Sequence, residues 1–115
     1  MRYRRLGRSG LMISELTLGT MNFGGPTDES TSLLVIDKAL DYGINFLDCA
    51  NVYAEGRSEQ IMGKALKLNG KRHEVLVTSK AFLPTSDWPN NSGNNRHNLI
   101  NSCIKSLKRL QTDYI

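Results

Sequence analysis

The feature that most constrains this chain is an alternation of strand-like and helix-like stretches with a nearly fixed period. Short strand-like runs begin near Glu15, Ile44, Val75 and Asp113, and helical spacing fills the sequence between them. Strands alternating with helices at intervals of roughly 30 residues define repeated βαβ units and a parallel sheet. In the first unit, the strand Glu15–Leu18 is stopped by Gly19, and a loop runs from Thr20 to Pro26. Thr27 can cap the helix that follows, with Asp28 and Glu29 at its positive end. Leu33, Ile36 and Leu40 form its inner stripe, widened by Val35, Ala39 and Tyr42, and Gly43 ends it. The second unit runs from the strand Ile44–Leu47 through the loop Asp48–Arg57 to a helix capped by Ser58. That helix is expected to bury Ile61, Met62, Ala65 and Leu66 before Asn69-Gly70 ends it. The third unit has the strand Val75–Thr78, a long polar loop over Leu83–Asn95, and a helix with Leu99, Ile100, Cys103, Ile104, Leu107 and Leu110 on one face. Asp113–Ile115 reads as the start of a fourth strand. Ahead of the first unit, Tyr3–Leu6 and Leu11–Ile13 read as a hairpin.

This period leaves two architectures open, a sheet curling toward a (β/α)8 barrel or a doubly wound open sheet. With 115 residues, there is room for one small domain. Hydrophobic residues at 39% and charged residues at 23% describe a globular chain and exclude a disordered one. The net charge of +4 is mild. Its clusters, Arg2, Arg4, Arg5 and Arg8 and then Lys105, Lys108 and Arg109, have only Tyr3 and Tyr114 near them, so they read as solvated surface and no nucleic-acid partner is expected. Cys49 and Cys103 lack CxxC or metal-ligand spacing and read as reduced, packed residues; no metal site is expected. The chain opens without a signal-like segment and has no run approaching ~18 apolar residues. A soluble, cytoplasmic protein without a membrane partner is the expectation.

Three chemically capable side chains fall at or just past predicted strand ends: Asp48, Tyr53 and Lys80. In a parallel α/β sheet those ends share one mouth, where ligands bind. A carbonyl that accepts a hydride develops negative charge on oxygen and needs a proton donor there. A free phenol, with a pKa of about 10, is a reluctant donor at neutral pH. An adjacent ammonium favours the phenolate and so eases the transfer, and a carboxylate beside the ammonium orients it. On residue types alone the bland reading is the favoured one: Asp48 caps a turn, Tyr53 packs on a loop and Lys80 is solvated. Gly24-Gly25 is not a GxGxxG fingerprint and takes no phosphate role. His73 and His97 read as peripheral.

The loop after the second strand matches every specified position of D-x-A-x-x-Y-x-x-G-x-S-E, at Asp48, Ala50, Tyr53, Gly56, Ser58 and Glu59. Thr78-Ser79-Lys80 ends the third strand, Ser106–Ile115 forms a helix-to-strand passage, and Leu6–Leu11 forms the opening hairpin turn. Together these resemble the aldo-keto reductases over essentially the whole chain. The resemblance implies an α/β fold, a partial (β/α)8 TIM barrel in which residues 1–115 supply the hairpin and about three and a half βα units. It implies reduction of aldehydes or ketones to alcohols with NADP(H), the hydride coming from C4 of the nicotinamide. Tyr53 would be the proton donor, Lys80 its activator and Asp48 the holder of Lys80. Gly19, Thr20 and Met21, with Asp48, would line the cofactor, and Trp88 and Phe82 would wall the pocket of a small carbonyl substrate. The family's fourth catalytic residue, a histidine, would fall beyond residue 115, as would the main adenosine-phosphate contacts. The 115-residue chain alone is therefore expected to lack reductase activity, and its open half-barrel to self-associate. Two other readings carry the same resemblance: a redox-sensing accessory subunit of a potassium channel, and an inactive truncated product.

Overall fold

A computed structural model describes residues 1–115. Strands β1 (Tyr3–Arg5) and β2 (Met12–Ser14) form an antiparallel hairpin. Strands β3 (Leu18–Gly19), β4 (Phe46–Asp48) and β5 (Leu76–Thr78) form a separate parallel sheet in that order. Helices α1 (Glu29–Asp41), α2 (Arg57–Asn69) and α3 (Arg96–Leu110) alternate with them, and α2 packs between the other two. The result is a three-stranded arc backed by a layer of helices. No barrel closes within it. The first strand of the arc is shorter than the sequence suggests: Glu15 and Leu16 bend away from the hairpin, and parallel pairing starts only at Leu18. Asp113–Ile115 pairs with no strand, so the chain holds three βα units without the expected additional half. No helix is long and apolar enough to cross a membrane.

The hairpin is fastened to the N-terminal end of the sheet. Asn45, just ahead of β4, accepts from Ser14 N at 2.7 Å and donates to the Met12 carbonyl at 3.1 Å. Tyr3 Oη donates to the Gly43 carbonyl at 2.9 Å, where the left-handed φ of +84° suits glycine and ends α1. Closing this end leaves the opposite end of the strands as the open mouth.

Strand alternation sorts the sheet into two faces. Leu47 and Val77, cross-strand neighbours, are buried against the helices with Cys49, Met62, Leu66, Val75 and Leu110. A second apolar cluster, Phe23, Ile36, Ile61 and Ala65, fills the joint between α1 and α2. The α2 stripe is therefore the one its spacing predicts. On α1 the stripe is narrower: Ala39 is buried beside Ile36 as its spacing predicts, but Val35 and Tyr42 are exposed and the small Ser32 fills the inner face in their place. The caps also move. Asp28, not Thr27, caps α1 by accepting from Thr31 N at 2.7 Å. Ser58 does not cap α2; the chain enters that helix through Gly56 at φ +89°, and Ser58 lies inside the first turn, fully buried.

Helix α3 departs furthest from expectation. Asn98, Ser102, Ser106 and Leu110 face inward, while Leu99, Ile100, Cys103 and Ile104 are exposed. The reason is proximity. At Gly63 on α2, an added Cβ would lie 2.6 Å from the Leu110 carbonyl, so the two backbones nearly touch at that crossing. Such an approach selects small side chains on the facing stripe; of the expected apolar stripe, Leu110 joins the core and Leu107 is half-buried, and the residues before them lie outside. Cys103 is accordingly on the surface instead of packed.

Candidate active site

Residues 46, 48, 76 and 78 share the sheet face turned away from the helices, and Asp48 stands opposite Thr78 at its C-terminal end. Lys80, two residues beyond Thr78, continues the same alternation. Thr78 Oγ1 donates to Asp48 Oδ1 at 2.9 Å, which turns the other carboxylate oxygen to Lys80. Lys80 Nζ donates to Asp48 Oδ2 at 2.7 Å, to the Cys49 carbonyl at 2.6 Å and to Tyr53 Oη at 3.5 Å. All three trio residues thus meet at one ammonium. Burial alone lowers the Lys80 pKa, but the hydrogen bond and charge of Asp48, with Tyr53 adding to them, raise it above the ordinary lysine value.

Tyr53 reaches this point on a short 3-10 turn, Tyr53–Gly56. Its amide donates to the Ala50 carbonyl at 3.2 Å, and its ring rests against the main apolar cluster. Ala54 and Glu55 both sit at positive φ, at 47° and 56°, followed by Gly56. Left-handed conformations cost non-glycine residues about 1 kcal/mol or more each, so this turn is held by its surroundings and not by local preference.

The remaining candidates divide. Gly19 pairs in register with Asp48, and nothing lies within 4 Å of where its side chain would be. That leaves open space beside the trio. Met21 is exposed. Thr20 is not at the open surface: it is fully buried, and its hydroxyl and amide both donate to the Asp48 carbonyl at 3.0 Å. Ser58 Oγ in turn donates to the Thr20 carbonyl at 2.8 Å. Thr20 therefore holds Asp48 from behind and does not face a ligand. Trp88 is 77% exposed and Phe82 58%, so in this chain neither walls an enclosed pocket. Their loop does contribute Thr85 and Ser86 to a polar cleft of about 640 Å³ with Asn51, Glu55 and Lys105, but no member of the trio lines it. His73 and His97 are exposed, and His73 Nδ1 meets Tyr114 Oη at 2.9 Å. Cys49 is buried beside Ser58, and burial raises its thiol pKa, so it is a packing residue and not a nucleophile.

Sequence reasoning missed two supporting groups. Thr78 orients Asp48, a role that strand parity could have suggested. Arg109, read from sequence as solvated surface, is mostly buried and donates through Nε to the fully buried Glu59 at 2.6 Å.

Comparison with known proteins places this arrangement in a class. The Aldo/keto reductase family's sequence model matches residues 15–115. An uncharacterized oxidoreductase of Bacillus subtilis (strain 168), YrpG, is 46% identical over all of this chain and 38% of its own length. A probable voltage-gated potassium channel subunit beta of Oryza sativa subsp. japonica is 40% identical over all of this chain and 35% of its own. Among solved structures, the holo form of aldo-keto reductase AKR11C1 from Bacillus halodurans superposes with a TM-score of 0.88 at 38% identity, over all of this chain and 38% of that one. The chain belongs to the aldo/keto reductase family. It spans little more than a third of the length of these relatives. The solved reductases it resembles are TIM barrels, and the three-stranded arc superposes on part of that fold without closing a barrel itself.

Proposed function

We propose that the protein contributes to NADP(H)-dependent reduction of aldehydes or ketones to alcohols, with Tyr53 giving the proton to the carbonyl oxygen. The observation that carries this reading is the placement of one ammonium, Lys80 Nζ, between Asp48 and the Tyr53 hydroxyl. A nicotinamide bound beside Gly19 would supply the hydride. Tyr53 donates its proton as negative charge develops on the substrate oxygen, and the Lys80 charge stabilises the phenolate left behind. Asp48, fixed by Thr78 and by the backbone contacts of Thr20, holds Lys80 in place and favours its protonated form. Proton and hydride together convert C=O to CH–OH.

A graft tests this. Residues 1–115 replace the corresponding span of AKR11C1, and NADPH oxidation is followed with a small aldehyde. Tyr53→Phe in the graft is expected to lower turnover by about 10²–10⁴-fold. Unchanged turnover in that variant would remove Tyr53 from the chemistry. A second reading is favoured by the likeness to the channel subunit: a protein that binds a nicotinamide and a channel without needing turnover. A graft that binds NADPH but reduces no aldehyde or ketone points to that reading instead.

A further inference from the structure

A carboxylate with no solvent exposure sits one turn into α2: Glu59. Charged groups are retained in such positions only where they are paired and hydrogen-bonded, and an apolar residue of similar volume generally serves packing as well or better. Glu59 has two partners, on different elements. Ser79 Oγ donates to Oε1 at 2.6 Å, and Arg109 Nε donates to Oε2 at 2.6 Å. Ser79 immediately precedes Lys80. Arg109 comes from the last turn of α3, and its side chain lies over Gly56, where an added Cβ would meet Arg109 Cδ at 2.8 Å. Gly56 closes the turn that begins at Tyr53. One buried carboxylate therefore holds the segment carrying Lys80 with one oxygen, and with the other holds the residue packed on the Tyr53 turn.

We infer that Glu59 is a positioning residue of the site, its carboxylate fixing Lys80 relative to Tyr53 through Ser79 and Arg109. The inference rests on the reductase reading for its purpose. It identifies a group that touches neither Lys80 nor Tyr53 yet sets the alignment of the two. The strained turn at Ala54 and Glu55 needs such a support, because its local preferences oppose its shape.

The test uses the 115-residue chain and requires no turnover. Lysines are acylated with a water-soluble amine reagent at mildly alkaline pH, and each site is followed by peptide mass spectrometry. Lys80, engaged by three acceptors, is expected to label more slowly than the exposed Lys38 and Lys67. Glu59→Gln and, separately, Ser79→Ala are each expected to bring the Lys80 rate close to that of Lys38, because an ammonium no longer held against its acceptors is open to the reagent. Far-UV circular dichroism should be unchanged. If both variants keep Lys80 as protected as the parent, Glu59 is a structural brace and the inference is overturned. Should Glu59→Gln fail to fold, Ser79→Ala, which leaves the Glu59–Arg109 pair intact, decides alone. Failure of the reductase reading shows up separately, as an unaffected Tyr53→Phe graft, and does not alter the labelling result.

Discussion

Lys80 is the residue on which the site turns, and its environment makes a pH-dependent claim. Burial opposes its charge, but Asp48 and Tyr53 outweigh burial, so its pKa in the folded chain lies above the ordinary lysine value of about 10.4. A group whose pKa is raised by folding contributes stability in full below its unfolded pKa and loses it as pH rises through the folded one. The Lys80–Asp48 contribution should therefore be present at neutral pH and fade in the alkaline range. Asp48→Asn removes the main raising partner. The gap in urea midpoint between parent and variant is expected to narrow from about pH 8 to about pH 11; a gap constant over that range would show that Lys80 gains nothing from Asp48. Asp48, Tyr53 and Lys80 were all legible as residues, because motif spacing and strand ends marked them. What held them was legible only at Thr78, which strand parity sets beside Asp48. Glu59 and Arg109 are fifty positions apart, and no local pattern joins an acid on one helix to a base on another.

Among the elements, α2 followed its sequence and α3 did not. Both carry apolar residues at helical spacing, yet in α3 only the C-terminal end of that stripe, Leu110 with the half-buried Leu107, turns toward the core. Periodicity specifies that a helix has an apolar side, and tertiary contacts choose which side is used. For α3 the choice was made by the close crossing at Gly63. Gly63→Ala would push a methyl group against the Leu110 backbone, which cannot yield as a flexible side chain would. The expected cost is about 1–3 kcal/mol of stability, read as a denaturation midpoint below that of the parent under the same conditions. A neutral result would mean that the two helices can separate freely. The caps show the same lesson on a smaller scale. Thr27 and Asp28 are both capping residue types one position apart, and only the observed backbone path assigned the role to Asp28.

At the scale of the whole molecule, apolar surface lies in the open. Leu99, Ile100 and Ile104 are 41%, 42% and 47% exposed along α3, and β5 has a partner on one side only. Unpaired strand edges and contiguous apolar faces promote association. The 115-residue chain is expected to sediment as oligomers at micromolar concentration and to melt over a broad range. A monomeric species with a sharp two-state transition would contradict this. The double substitution Ile100→Lys and Ile104→Glu on the exposed face should shift the distribution toward monomer without loss of helix content.

By itself the sequence determined the strand–helix period, the α2 core stripe, the hairpin and the three polar residues that meet at Lys80, because each depends on residues near one another in the chain or on repeated spacing. Tertiary structure alone decided which face α3 buries, that Thr20 braces Asp48 from behind, and that Glu59 joins Ser79 to Arg109. Those outcomes depend on distances between segments distant in sequence, and these are set by how closely two backbones can approach and which polar groups must then share a dry joint.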